Sequence, residues 1–148
     1  MKKQLLFLGA VLSLACSTWA QNTCATAQII TVGNYSTGSI NGTDVPNPVC
    51  ATGGGGATAG EWYKYTPTQN YQVTVTTDLS SNPNVDNRVH VYTGNCGALV
   101  CLAGDDDSGS GQLCVVSFNV TANTDYFIAF DNRWTSTGFN FELIENAP

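Results

Sequence analysis

The sequence predicts an all-β fold in which two antiparallel sheets pack face to face as a sandwich. Short runs rich in Val, Ile, Tyr, Phe and Thr are separated by Gly, Asn, Asp and Pro, which is the pattern of strands joined by turns. Within the runs, apolar and polar residues alternate, as at Val73 and Val75 with their polar neighbours. One apolar face per strand is typical of antiparallel sheets with one solvated side. After residue 20, no stretch has the sustained apolar spacing of an amphipathic helix.

Nine segments match the strand pattern. They are residues 28–32, 38–41, 61–66, 71–77, 88–93, 100–104, 112–120, 125–131 and 139–144. The alternation also assigns faces. Cys114 is in phase with Val116 and Phe118, so we expect a buried, unpaired thiol that behaves as a small apolar side chain. His90 and Tyr92 are in the opposite phase to the valines of their strand, which predicts that both face outwards.

Residues 1–20 have the features of a secretory signal peptide. Lys2 and Lys3 precede an apolar run over residues 5–15, and Ala20 provides a small residue at the expected cleavage point. The run is too short to span a bilayer, and no later stretch resembles a transmembrane segment. An alternative is a lipoprotein anchored through Cys16. Residues 21–148 are then one domain, secreted or held at the outer cell surface.

The charge of residues 21–148 disfavours nucleic acid as a partner. Lys64, Arg88 and Arg133 are the only basic residues there, against eleven Asp and Glu, which gives a formal charge of 3 − 11 = −8. Phosphate backbones are bound by clustered Lys and Arg. The same argument disfavours an anionic membrane surface.

Five cysteines follow the predicted signal peptide, an odd number that leaves at least one unpaired within the chain. Export would permit disulfide bonds. We expect the pairs Cys24–Cys50 and Cys96–Cys101, with Cys114 free, although spacing alone leaves other connectivities open.

The acidic segment at residues 104–111 is a candidate Ca²⁺ site. Asp105 and Asp107 have a spacing common in calcium loops, Gly109 permits a turn, and Asp86 or Asp131 could add oxygen ligands from neighbouring loops. The EF-hand pattern is incomplete because its final Glu is missing. The alternative interpretation is a solvated turn that contributes to solubility.

Arg133 and Trp134 form a second candidate site, for a glycan or a protein surface. Trp134 falls in a polar loop, where an indole ring can stack on a ligand. Tyr92 and His90 would extend this surface if they face outwards. The alternative is that Trp134 folds back and covers one end of the core.

No catalytic constellation is evident in the sequence. His90 is the only histidine, it falls on a predicted strand, and no nucleophile-elbow motif is present. The glycines at 53–56 lack the lysine and the following helix of a phosphate-binding loop. We therefore predict a protein that is not an enzyme.

Six segments in order resemble a known family. They are CATAQ at 24–28, EWYKYTP at 61–67, NRVHVYTG at 87–94, CGALVC at 96–101, AGDDDSG at 103–109 and YFIAFD at 126–131. Together they resemble the jelly-roll modules related to the bacterial pre-peptidase C-terminal (PPC) domain. The resemblance implies a jelly-roll sandwich of eight or nine strands, from a secreted protein of a Gram-negative bacterium. It also implies an accessory role in adhesion, in substrate targeting or beside a hydrolase.

The function predicted from the sequence is therefore a secreted, non-catalytic binding or adhesion module for an extracellular glycan or protein. The alternative is a structural subunit that self-associates through its sheet edges or an unpaired cysteine.

Overall fold

The computed structural model describes residues 21–82 and 84–146, which form a two-layer β-sandwich. The predicted signal peptide and the lipid-anchor alternative at Cys16 lie outside these residues. Within the described ranges, no helix is long and apolar enough to cross a membrane.

Nine strands are present. They are β1 (Gln28–Ile30), β2 (Gly33–Ser36), β3 (Gly60–Tyr65), β4 (Tyr71–Thr76), β5 (Val89–Asn95), β6 (Ala98–Asp105), β7 (Val115–Val120), β8 (Tyr126–Asp131) and β9 (Asn140–Asn146). The helical structure described is a single 3₁₀ turn at Cys24–Thr26.

Eight of the nine predicted segments overlap these strands, and the prediction at residues 38–41 is wrong. The second strand is Gly33–Ser36 instead. Gly38 has a φ of +63°, in the left-handed region where a strand cannot continue. Ile40 then enters the core from a loop and is almost fully buried, so its apolar character reports burial and not strand structure.

The strand order defines a jelly roll. The five-stranded sheet has the order β1-β3-β8-β5-β6 and the four-stranded sheet the order β2-β9-β4-β7. From β2 onwards the chain alternates between the sheets, except at the β5–β6 hairpin, and this arrangement of eight antiparallel strands is a jelly roll. The predicted antiparallel jelly-roll sandwich is confirmed, with one exception at an edge, where β1 pairs with β3 in parallel.

The core lies between the two sheets and is rich in aromatic residues. The ring centroid of Phe141 is 4.7 Å from that of Tyr63 and 4.9 Å from that of Phe130. The predicted inward rows, including Val73, Val75 and Phe118, are buried here. Each large apolar side chain buried in this way contributes about 1.5–3 kcal/mol to stability.

The outer face of the five-stranded sheet is also covered, which the alternation did not predict. A second apolar cluster lies there, containing Trp62, Tyr92 and Phe127. The covering layer is the irregular chain around residues 41–52: the Trp62 indole donates to the Asp44 carbonyl at 2.7 Å, and the Tyr92 hydroxyl to the Pro48 carbonyl at 2.8 Å. Trp62 on β3, His90 and Tyr92 on β5 and Phe127 on β8 are therefore buried, although alternation places them outwards.

Both predicted disulfide pairings are wrong, although the four paired cysteines are the expected ones. The bridges are Cys24–Cys96 and Cys50–Cys101, with Cα–Cα distances of 5.6 and 5.4 Å. Cys96 lies in the turn of the β5–β6 hairpin, whereas Cys101 pairs with Tyr92 further along β6. Cys101 lies three residues of extended strand, about 10 Å, from Ala98, where β6 begins. Cys96 precedes Ala98 in the turn, so the distance between Cys96 and Cys101 is beyond the reach of a disulfide.

The Cys24–Cys96 bridge joins the N-terminal segment to this hairpin, and the Cys50–Cys101 bridge joins the covering layer to it. The bridged positions are 72 and 51 residues apart, and closing loops of that size lowers the entropy of the unfolded chain by an equivalent of about 4 kcal/mol each. Cys114 is free and fully buried, as predicted.

Candidate functional site

Three loops meet at one end of the sandwich. We call them the glycine loop (residues 50–56), the acidic loop (residues 104–111) and the tryptophan loop (residues 131–138). Gly53 shows how closely they approach: a Cβ atom at this position would lie 3.1 Å from Asp106 Oδ2, 3.2 Å from Trp134 Cζ2 and 3.4 Å from Arg88 Nη1. With a φ of +85°, Gly53 also adopts a conformation that other residues rarely adopt.

A buried ion pair holds the base of these loops. Arg88 precedes β5 and Asp131 ends β8, and both side chains are only 1% exposed. The guanidinium donates to Asp131 through Nη2 at 2.5 Å and through Nε at 3.1 Å. Arg88 Nη1 also donates to the carbonyl oxygens of Thr52 and Gly54, at 3.0 and 2.7 Å. One arginine thus connects the core strands to the glycine loop.

His90 completes this network, and the prediction that it faces outwards is wrong. Its ring is fully buried beneath the covering layer. Nδ1 accepts hydrogen bonds from the backbone amides of Cys50 and Ala51, at 3.1 and 3.3 Å. Nε2 therefore carries the proton and donates to Asp131 Oδ2 at 2.8 Å. Because both ring nitrogens are engaged within the protein, His90 fixes the glycine loop and has no nitrogen left to act as a base on a substrate.

Asp131 is charged in this setting. Burial acts to raise the pKa of its carboxyl group, but the hydrogen bonds from His90, Arg88 and the Arg133 amide outweigh burial and hold the pKa below its ordinary value. The carboxylate accepts hydrogen bonds from three residues, His90, Arg88 and Arg133. Asp131 is therefore committed to the network, and the predicted alternative use of it as a metal ligand does not apply.

An acidic cluster formed by Asp86, Asp106 and Asp107 lies at the same end of the molecule. One carboxylate oxygen from each residue is within 4.8 Å of one from each of the others. The predicted candidates were Asp105, Asp107 and Asp86, and the structure brings together two of them with Asp106 in place of Asp105. Asp105 instead stabilises its own turn, because its Oδ2 accepts from the amides of Ser108 at 3.2 Å and Val115 at 2.8 Å.

Two oxygens of this acidic cluster are buried without a hydrogen-bond partner, Oδ1 of Asp86 and Oδ1 of Asp106. Their companion oxygens are satisfied: Asp86 Oδ2 accepts from Gln112 at 2.8 Å, and Asp106 Oδ2 from the Trp134 indole at 3.3 Å. Burial raises the pKa of both carboxyl groups, and the neighbouring carboxylate of Asp107 raises it further. Buried acceptors without a donor are rare in folded proteins, so these two atoms indicate a missing partner.

Trp134 does not fold back onto the core, which was the alternative interpretation. Its side chain is 46% exposed, and its indole is tied to the acidic loop through Asp106. The guanidinium carbon of Arg133 lies 4.5 Å from the ring centroid and stacks on one face of the indole. Arg133 and Trp134 are thus adjacent in space as well as in sequence.

The predicted contribution of Tyr92 to this surface is wrong. Tyr92 is fully buried, stacks on Trp62 with a centroid distance of 5.7 Å and donates its hydroxyl hydrogen to Pro48. The covering layer contacts and buries both Tyr92 and His90. Three residues that help to form this end of the molecule were not predicted from the sequence: Gly53, Arg88 and Asp106. The sequence did offer one indication for Arg88, since it is one of only three basic residues after position 20.

Comparison with known proteins does not assign this chain to a family. The chain matches no protein-family model and no curated protein. Among solved structures, a Podospora anserina GH26-CBM35 β-(1,4)-mannanase aligns with 80% of this chain and 29% of its own, with a TM-score of 0.35 and 12% identity. A CBM35 from Cellvibrio japonicus Abf62 aligns with 79% of this chain and 89% of its own, with a TM-score of 0.30 and 14% identity. These scores are low, and the fold is therefore defined here by its strand pairings alone.

Proposed function

We propose that this protein is an exported, non-catalytic module that binds extracellular glycans through the loop end around Trp134. The proposal rests on the half-exposed indole of Trp134. An indole ring combines a large apolar face with a polar N–H group, which suits it to stack on the C–H face of a sugar.

The indole is held in place before any ligand binds. Its Nε1 donates to Asp106, and the backbone amide of the adjacent Arg133 donates to the buried Asp131 at 3.0 Å. Less ordering is then required on binding, and an ordered site loses less entropy than a mobile one. The guanidinium of Arg133 covers one face of the ring, and 46% of the Trp134 side chain remains exposed to a ligand.

The charge around Trp134 favours a neutral or amino sugar over an acidic one. Asp106 and Asp107 lie in the adjoining acidic loop, and carboxylate oxygens accept hydrogen bonds from sugar hydroxyl groups. Export is supported by the signal-like residues 1–20 and by two disulfide bonds of a kind that persists in oxidising compartments. The resemblance to PPC-related modules supports an accessory role at the surface of a Gram-negative bacterium.

A glycan microarray probed with the secreted protein and two variants tests this proposal. Trp134→Ala should lose the glycan signal. Ile29→Ala is the control, because Ile29 is 73% exposed and pairs with Lys64, towards the opposite end of β3 from the loops. It should bind as the wild type does. A wild type that binds nothing on the array, or a Trp134→Ala variant that binds equally well, contradicts the proposal.

The sheet edges support a second candidate function, self-association. Strands β1 and β6 are the two edges of one sheet, and each carries exposed apolar residues: Ile29 on β1, and Val100 and Leu102 on β6. An exposed edge can pair with the edge of a second copy. Light scattering coupled to size-exclusion chromatography tests this. A monomer at micromolar concentration contradicts it, whereas an oligomer that Val100→Lys dissociates supports it.

A further inference from the structure

We propose that Asp86, Asp106 and Asp107 form a Ca²⁺ site that fixes the position of Trp134. The geometry suits one ion. Oxygens bound to the same Ca²⁺ at about 2.3–2.6 Å lie at most roughly 5 Å from one another. The three carboxylates each offer an oxygen within 4.8 Å of the others, so the acidic cluster can offer three oxygen ligands to one ion.

The unpartnered oxygens are a second, independent observation. In the described part of the chain, three buried side-chain atoms lack a hydrogen-bond partner, and two of them are Oδ1 of Asp86 and Oδ1 of Asp106. The side chain of Asp106 is more than nine-tenths buried, with 8% exposed. Its Oδ2 is held by the Trp134 indole, which leaves Oδ1 as the oxygen free to bind a cation. A bound ion supplies the partner that the protein does not.

The ligand chemistry selects calcium. The acidic cluster offers only carboxylate oxygens, whereas structural zinc sites are built from Cys and His. The buried guanidinium of Arg88 acts on Asp106 only through its charge, because its hydrogen bonds go to Asp131 and to two backbone carbonyl oxygens. Asp107 is exposed, which leaves that side of the site open to water ligands. An open site on two loops meets the loose shell of Ca²⁺ better than the strict octahedron of Mg²⁺.

The site connects directly to the proposed binding surface. Asp106 would hold the ion through Oδ1 and the Trp134 indole through Oδ2, so occupancy by Ca²⁺ would restrict the motion of the indole. The ion binds to protein groups alone, and its binding can therefore be measured in the absence of any glycan. The glycan proposal and the calcium proposal can fail separately.

The experiment is a CaCl₂ titration of the EDTA-treated protein, followed by tryptophan fluorescence and thermal melting. The wild type should show a saturable fluorescence change and a melting temperature that rises with free Ca²⁺. The change should disappear in Trp134→Phe while the rise in melting temperature remains. Asp107→Asn changes an exposed side chain, so it should fold as the wild type does but lose both responses.

Two matched variants carry the same loss of charge outside the acidic cluster. Asp125→Asn changes a surface carboxylate near Lys64 and should respond as the wild type does. Asp105→Asn should retain the fluorescence change, because Asp105 caps its turn and is not in the acidic cluster. Identical wild-type curves in EDTA and in millimolar Ca²⁺ overturn the proposal. So does an undiminished response in Asp107→Asn, or an equal response to Mg²⁺.

Discussion

The substitution Asp131→Asn should destabilise the protein far more than the same substitution at Asp125. The two residues lie at opposite ends of one strand, since Asp125 immediately precedes β8 and Asp131 is its last residue. Each carboxylate pairs with a cation: Asp131 with Arg88 and Asp125 with Lys64. The pairs differ in burial, because Asp131 and Arg88 are 1% exposed whereas Asp125 and Lys64 are 44% and 31% exposed.

The expected magnitudes follow from that difference. Asp131→Asn leaves the Arg88 guanidinium in the protein interior without a counter-charge, and breaking a buried pair in this way costs about 3–5 kcal/mol. The same change weakens the acceptor for His90 Nε2, 2.8 Å away. Asp125→Asn removes an ion pair that solvent screens, which costs about 0–1 kcal/mol.

Urea denaturation followed by tryptophan fluorescence measures both free energies of unfolding. The comparison is valid only if both variants keep the wild-type denaturant slope, because a changed slope reports a different unfolded or native state. A cost below about 1 kcal/mol for Asp131→Asn, or equal costs for the two variants, would refute the claim that the buried pair stabilises the base of the loops.

The remaining predictions concern acid stability, the glycine loop and the cysteines. The pKa of Asp131 lies below its ordinary value of 3.8, so the ionised carboxylate stabilises the folded protein fully above that pH, and this stabilisation is lost as the pH falls through the lowered pKa. The urea denaturation curves of the wild type and Asp131→Asn should therefore converge in acid. Gly53→Ala should lower the free energy of unfolding by about 1 kcal/mol or more beyond Gly54→Ala. Both residues have positive φ, but an added Cβ meets close neighbours only at Gly53. Equal urea midpoints for the two variants would show that the loops do not meet at Gly53. Peptide mapping without reductant should recover the pairs Cys24–Cys96 and Cys50–Cys101, and any other pairing contradicts the structure. Burial raises the pKa of the Cys114 thiol, so iodoacetamide should label it only after unfolding, and rapid labelling of the native protein would contradict its burial.

The period-two pattern predicted the fold because it reports which residues face the space between the sheets. Val73 and Val75 on one sheet and Val89 and Val91 on the other are all fully buried, as their alternation predicts. The same pattern failed for His90 because burial on the outer face comes from an irregular segment. The chain around residues 41–52 has no periodicity from which its position could be predicted.

The candidate site was predicted in part, for a related reason. The sequence places Asp105, Asp106 and Asp107 next to one another, and alternation alone does not say which of these carboxylates belong to the acidic cluster. Asp105 is not part of the acidic cluster, because it accepts a hydrogen bond at 2.8 Å from the amide of Val115, ten residues along the chain. The disulfide pairing depends in the same way on the covering layer, which brings Cys50 to Cys101. Contacts between distant segments decided both outcomes.

If the loop end around Trp134 is the ligand-binding surface, the indole N–H signals of the secreted protein in ¹H–¹⁵N correlation spectra should report glycan binding. Trp62 serves as an internal reference, because it is buried and its Nε1 donates to Asp44 within the covering layer. During titration with the strongest glycan from the microarray, we predict that the Trp134 indole signal shifts while that of Trp62 stays in place. A Trp134 signal that does not move as the glycan saturates the protein would show that the glycan binds elsewhere.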